Sequence, residues 1–340
     1  MNKQHWILIA GIFLFISCSK TVMDRFAGFQ KPRGFPEPVY KFTGNPITQA
    51  GFELGRKLFY EPRLSRNNTV SCGSCHIQSS SFTQHGHDVS HGIDDRLGSR
   101  NSPAIMNLAW MPAFFWDGGV PDLDLQPIAP ITNHVEMDET LANVISKLKA
   151  HPEYPGLFRK AFGSDEITTA AIMKALSQFM LLCVSSNSKY DRVMRNEDYF
   201  TESETMGYEL FKQKCGSCHK EPLFTDHTFR NNGIAIGLNN DKGRSMITLN
   251  PLDDYTFKVP SLRNVEFTAP YMHDGRFYTL EAVLDHYSKN VQNTPNLDPL
   301  LKQEANLGLS LTEKEKENLV SFLKTLSDRE FLVNPLLAEQ

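Results

Sequence analysis

The sequence predicts an all-α protein of two domains, and three observations carry that reading. The chain has 340 residues, too long for one ordinary domain and suited to two. Apolar residues recur at helical spacing, and no run of period-two alternation is long enough for a substantial sheet. The chain also repeats itself: a short cysteine pattern and a longer Pro/Asn/Asp-Gly pattern each occur twice. Hydrophobic residues make 40% and charged residues 22%, which argues against disorder, collagen and coiled coil. The formal charge of −4 leaves no basic excess to neutralise phosphates, so no nucleic-acid partner is expected.

Residues 1–17 read as a signal peptide. Lys3 supplies a positive start, and Trp6 to Ile16 is an uncharged stretch, well short of the roughly 20 apolar residues that span a bilayer. The segment ends Phe15-Ile16-Ser17-Cys18, which resembles the lipobox of bacterial lipoproteins. That resemblance implies acylation at Cys18, membrane contact through the lipid anchor alone, and a place on the periplasmic side of the cell envelope. The alternative is an ordinary signal peptide with an incidental cysteine.

Residues 18–45, rich in Gly, Pro and Phe, read as a tether or a surface-hugging arm. An N-terminal domain is expected over 46–198 and a C-terminal domain over 199–340. In the first, Thr168 to Val184 carries Ile172, Leu176, Phe179 and Cys183 at helical spacing. In the second, Thr312 and Glu315 form a capping-box pattern before Leu319, Val320, Phe322, Leu323 and Leu326. The Asn/Gly/Asp-rich stretch from Phe229 to Phe257 reads as a long loop, and long loops in compact domains are usually functional.

The duplication is detailed. Cys72-Gly-Ser-Cys75-His76 recurs as Cys215-Gly-Ser-Cys218-His219. Gly-x-x-Leu-Phe precedes each copy, at Gly55 and Gly207, and Phe-Thr-x-His follows each, at Phe82 and Phe224. Pro103 to Gly118 aligns without gaps on Pro260 to Gly275, pairing Asn107 with Asn264 and Asp117 with Asp274. In that register Trp116 falls on His273, so the halves have diverged where their chemistry could differ.

Cys-x-x-Cys-His is the pattern of c-type haem attachment. Two cysteines three apart on a helical turn reach the two vinyl groups of one porphyrin, and the following histidine points at the iron. A Cys₄ zinc site or two disulfides would leave both histidines unexplained, and a thioredoxin-like pair would want a βαβ context. Two covalent haem c groups are therefore expected, one per cytochrome c-like domain. Cys183, on an apolar helix face, reads as a buried small hydrophobe.

With the haems placed, residues 46 to 330 resemble the bacterial di-haem cytochrome c peroxidase family, including its MauG-like branch. The patterns that carry this are the paired cysteine motifs, Arg100-Asn101-Ser102-Pro103, Phe115-Trp116-Asp117-Gly118, Val135-Glu136-Met137, Val259-Pro260-Ser261-Leu262-Arg263-Asn264 and Pro270-Tyr271-Met272-His273-Asp274-Gly275. The resemblance implies reduction of hydrogen peroxide at the N-terminal haem, with electrons entering at the C-terminal haem from a small donor such as a monohaem cytochrome c or a cupredoxin. It makes His76 and His219 the proximal ligands. Glu136 matches the acid–base carboxylate, Gln126 the pocket amide, and Trp116 the tryptophan between the haems, although a core aromatic would read the same way. Asn101, Thr268 and Pro270 match the ligands of a calcium ion between the domains. Homodimers are common in the family.

Two positions depart from the ordinary peroxidases. Where those have a methionine as second axial ligand of the C-terminal haem, the register from His273 reaches Tyr287, as in MauG-like enzymes; Met272 and His286 are the alternatives. Where many have a histidine that blocks the first haem at rest, this chain has Ile93, with His91 two residues earlier. The expectation is an open peroxidatic site, with His91 as gate if the loop slips. The alternatives to a peroxidase are a MauG-like enzyme oxidising a partner protein and a di-haem electron carrier.

Overall fold

The computed structural model describes residues 26–237, 239–302 and 306–340. The expected signal peptide and Cys18 lie outside these residues. The described chain is helical with long connections. Its helices are α1 (Gln49–Phe59), α2 (Cys72–Cys75), α3 (Ile128–Thr132), α4 (Leu141–Ala150), α5 (Tyr154–Phe162), α6 (Thr169–Leu181), α7 (Lys189–Met194), α8 (Glu202–Lys214), α9 (Ser245–Thr248), α10 (Leu280–Asp285), α11 (Glu313–Lys324) and α12 (Arg329–Leu332). Among the described residues the only sheet is an antiparallel pair, β1 (Phe229–Arg230) with β2 (Phe257–Lys258), so the expectation of no substantial sheet holds.

Local chemistry sets the helix starts. Thr48 and Thr168 accept from Gly51 N and Ala171 N at the heads of α1 and α6. Thr201 with Glu204, and Thr312 with Glu315, close reciprocal capping boxes on α8 and α11. The α6 boundaries fall within the stretch read from the sequence, and the α11 cap is the one expected there.

Two helix pairs form the two cores: α1 packs on α6, and α8 packs on α11. Phe52, Leu58 and Phe59 meet Ile172, Leu176 and Phe179 in the first. Phe211 meets Leu319, Phe322 and Leu323 in the second. The glycines of the repeated Gly-x-x-Leu-Phe pattern make both crossings close. A Cβ on Gly55 would lie 1.9 Å from the Ala175 carbonyl oxygen, and one on Gly207 would lie 2.0 Å from that of Asn318.

The second repeat is duplicated down to its backbone. Asn107 and Asn264 have φ of 55° and 56°, Phe115 and Met272 of 65° and 75°, and Gly118 and Gly275 of 68° each. Single bridges close the two copies, Phe114 to Val120 and Tyr271 to Phe277. Two buried asparagines tie the copies together. Asn107 bonds both backbone groups of Ser185, while Asn264 donates to the Ser81 and Ser185 hydroxyls and accepts from Asp328 N.

Segments cross between the two cores. Tyr190 of α7 packs in the second core, and the neighbouring Asp191 forms a two-pronged ion pair with the fully buried Arg263 at 2.7 and 2.8 Å. In the other direction, Phe331, Leu332 and Leu337 pack in the first core. Arg56 and Tyr60 donate to the carbonyls of Leu336 and Leu337, each at 2.8 Å. The arm also lies down on the first core. Phe35 is buried there, and the Trp110 indole packs against Phe29 and Phe35 and donates to Pro36 O.

Candidate functional site

Both cysteine motifs open onto one cavity of about 870 Å³, at the upper end of the roughly 300–1,000 Å³ usual for small-molecule sites. Cys72, Cys75 and His76 lie on its wall, as do Cys215, Cys218 and His219. The five described cysteines are free thiols. Burial pushes Cys72 and Cys215 up to about 12 and Cys75 to about 11, so none is poised as a thiolate. Among the described residues no three His, Cys, Asp or Glu side chains converge as a metal ligand set, which removes the Cys₄ zinc alternative there. Cys183 is wholly buried beside the Phe179 carbonyl, as a small hydrophobe would be.

The two histidines are held alike. His76 Nδ1 lies 2.7 Å from the Phe82 carbonyl oxygen. His219 Nδ1 lies 3.1 Å from that of Phe224 and 3.2 Å from that of Pro260. A proton on Nδ1 bonds the carbonyl and leaves the Nε2 lone pair free to ligate. The phenylalanines of the repeated Phe-Thr-x-His pattern accept at φ of 58° and 55°, a costly conformation for an aromatic residue that accompanies the same carbonyl–imidazole bond in both halves.

Glu136 and Gln126 share the wall with Cys72, Cys75 and His76. Burial raises the Glu136 carboxyl above the usual carboxylate range, against the lowering effect of the 2.8 Å bond from Asn133 Nδ2. The loop before it crosses closely: Ile93 N donates to Glu136 O at 2.7 Å, and a Cβ on Gly92 would lie 2.1 Å from the Val135 carbonyl oxygen. His91 is not on the cavity wall. Its imidazole faces His87, with ring centroids 4.1 Å apart, and Asp95 at 3.1 Å, although its carbonyl accepts from Cys75 Sγ. Ile93 is buried away from the wall as well.

Trp116 lies on the wall where the two repeats meet. Its Nε1 donates to Asn101 O at 2.8 Å, and its carbonyl accepts from Lys258 N at 2.7 Å. Asn101, Thr268 and Pro270 line the same cavity. Asn101 Nδ2 donates to Asp88 O, which leaves Oδ1 as its acceptor atom. On the far side, α10 runs into a single π turn over His286–Asn290, a feature common at functional sites. Tyr287 and Met272 both reach the wall, and the Asn232 amide touches both, at 3.4 Å from the phenol and 3.5 Å from the thioether. Burial pushes the Tyr287 phenol up to about 12. His286 stays off the wall, with Nε2 at 3.1 Å from Asn232 O.

A family model described as di-haem cytochrome c peroxidase matches residues 49–199. A methylamine utilization protein MauG from Methylorubrum extorquens is 38% identical over 88% of this chain and 83% of its own. The chain belongs to the di-haem cytochrome c peroxidase family. Cytochrome c551 peroxidase from Pseudomonas aeruginosa, another relative, is 32% identical over 92% of this chain and 89% of its own. A solved MauG-like protein associated with microbial copper homeostasis superposes with a TM-score of 0.82 at 32% identity, covering 92% of this chain and 98% of that one.

The two c-type haems of a di-haem peroxidase fit the residues found here. Each half supplies two free thiols and an imidazole with its Nε2 released, all on one largely apolar cavity. Sequence reasoning missed several neighbours of the site. Asn133 and Asn232 position Glu136 and Tyr287 but stand in no motif. Lys258 is buried on the wall, and its place in the apolar run Phe257 to Pro260 was the available signal. His227, the counterpart of His85, has both ring nitrogens buried without a partner among the described residues; nothing in the structure explains it.

Proposed function

We propose that this di-haem peroxidase relative reduces hydrogen peroxide to water: one peroxide, two electrons and two protons give two waters. The observation that carries the reading is Glu136, a buried carboxyl with a raised pKa on the same wall as Cys72, Cys75 and His76. When bound, the haem iron supplies the electrons and the ligand position for peroxide. Glu136 takes the proton from one peroxide oxygen and returns it to the departing one. A pKa raised toward the working pH suits both transfers. The Gln126 amide orients the peroxide, and the Asn133 bond fixes the carboxyl that moves the proton. Trp116, held by Asn101 O, lies on the electron path between the two haem sites. Asn101, Thr268 and Pro270 would hold a calcium ion, whose charge would brace that junction. Electrons come from a small redox protein, a monohaem cytochrome c or a cupredoxin, and export with acylation at Cys18 puts the enzyme beside such donors.

The turned-away imidazole of His91 supports a peroxidatic site open at rest. A wholly low-spin resting ferric spectrum that His91→Ala abolishes would overturn that part. Tyr287 on the wall favours a second reading, in which peroxide drives oxidation of a partner protein as in MauG-like enzymes. A phenolate ligand lowers the potential and favours oxidised states. Steady-state peroxide consumption by the pre-reduced holoenzyme with reduced cytochrome c or cupredoxin tests the main reading. No turnover with any donor rejects it, and new oxidised Trp or Tyr in a co-purified partner favours the second.

A further inference from the structure

Of the four strongly basic side chains on the cavity wall, Lys214 is half-buried and near the surface, and the other three differ in one respect. Arg100 is compensated by Asp117 and Asp241, and Arg230 by Asp226 and Asp298. Lys258 is more deeply buried than either, yet no carboxylate among the described residues lies within ion-pairing distance of it. Its Nζ makes one close bond, to Ala113 O at 2.7 Å, with Met111 Sδ at 4.0 Å. An ammonium has three N–H groups to satisfy. Asp117 is the acid whose field reaches it, and Arg100 already occupies that carboxylate. Burial accordingly pushes Lys258 down to about 8. A buried, unpaired ammonium is costly, and proteins retain one where a partner arrives.

The backbone aims this cation. Lys258 ends β2, and its N–H is locked onto the Trp116 carbonyl. The side chain therefore leaves the strand that leads into the second repeat and reaches across to Ala113, in the first. A methionine would span that path at no electrostatic cost, so the charge itself calls for an anion that the protein does not provide. The two haems of this family each bring a pair of carboxylates into the cavity that Lys258 lines.

We infer that Lys258 is a positioning residue for a haem carboxylate at the meeting of the two repeats, with one N–H on Ala113 O and another on the carboxylate. It thereby joins the first repeat, the strand leading into the second and one haem edge through a single ammonium, whichever substrate the enzyme takes. Offsetting the carboxylate charge also makes that haem easier to reduce.

The test uses the holoprotein with two haems per chain verified by pyridine haemochrome. Resonance Raman spectra and potentiometric titration are compared for wild type, Lys258→Met and Lys258→Arg. In Lys258→Met the propionate bending band of one haem shifts and its potential falls, while Lys258→Arg keeps both near wild type. Unchanged bands in Lys258→Met overturn the contact, even if a potential moves, because a charge acting only through space leaves the carboxylate vibration alone. If Lys258→Met does not assemble, a crystal structure of the wild-type holoprotein decides. A carboxylate oxygen within hydrogen-bonding reach of Lys258 Nζ is expected. An Nζ left with Ala113 alone overturns the inference.

Discussion

Gly207→Ala separates two opposing effects of known size. In an exposed helix interior, glycine to alanine gains about 0.5–1 kcal/mol, because glycine loses more chain entropy on folding. At Gly207 the new Cβ would lie 2.0 Å from Asn318 O, 2.6 Å from Asn318 C and 2.9 Å from Phe322 Cβ. Two of these atoms are backbone and cannot rotate away. Real Cβ atoms essentially never approach within 3.0 Å, so α8 and α11 must separate by about 1 Å across a packed core. Overpacking of that kind costs roughly 1–3 kcal/mol, which exceeds the entropy gain and reverses the sign. Gly55→Ala, with its Cβ 1.9 Å from Ala175 O, should behave the same way. Gly156 in α5 has nothing within 4 Å of its added Cβ, so Gly156→Ala should stabilise. Urea unfolding of the three holoprotein variants reads the outcome. A midpoint that rises for Gly207→Ala as it does for Gly156→Ala would refute the close-crossing argument.

Glu136→Gln should lower peroxide turnover by about 10²–10⁴, the usual worth of general acid–base catalysis, with haem content unchanged. It should also remove an ionisation above the ordinary carboxylate range from the pH profile, and a variant that keeps that ionisation contradicts the assignment. Arg263→Met leaves the Asp191 carboxylate buried and unpaired, and should cost about 3–5 kcal/mol in denaturant titrations. Burial alone would raise Asp191, but the bonds from Arg263 outweigh it and hold the carboxyl low. The pair therefore contributes fully above the unfolded value of about 4 and fades as pH falls through the lower folded value. A gap between wild type and Arg263→Met that is the same in strong acid as at pH 7 would count against this. Tyr287→Met should raise the potential of the C-terminal haem and alter its low-spin ferric EPR signal, whereas Met272→Leu should leave the signal in place; the reverse pattern would assign the ligand to Met272.

Much of this was legible in the sequence because it is local. The capping box at Thr312, the apolar stripes of α6 and α11, and the doubled cysteine and Pro/Asn/Asp-Gly patterns are short-range signals, and each has its structural counterpart. The Phe-Thr-x-His echo was visible, but its meaning, a carbonyl turned onto an imidazole, needs coordinates. What stayed hidden depends on long-range placement. The choice between His91 and Ile93 could not be read from register, because the Glu136 loop crossing over Gly92 decides where His91 points. The π turn that carries Tyr287 has no residue signature. Asp191 stands in no motif, and the segments that bury it come from far along the chain. The expected division after residue 198 marks where the duplicated motifs part, yet α7 and the last residues pack across it.

The return of Phe331, Leu332 and Leu337 to the first core limits how the molecule can be divided. Without those three side chains the first core has an open face, so the two halves are not independent folding units. A fragment ending near residue 198 would expose the apolar surface that Phe331, Leu332 and Leu337 cover, and so would associate with itself or with other apolar surfaces.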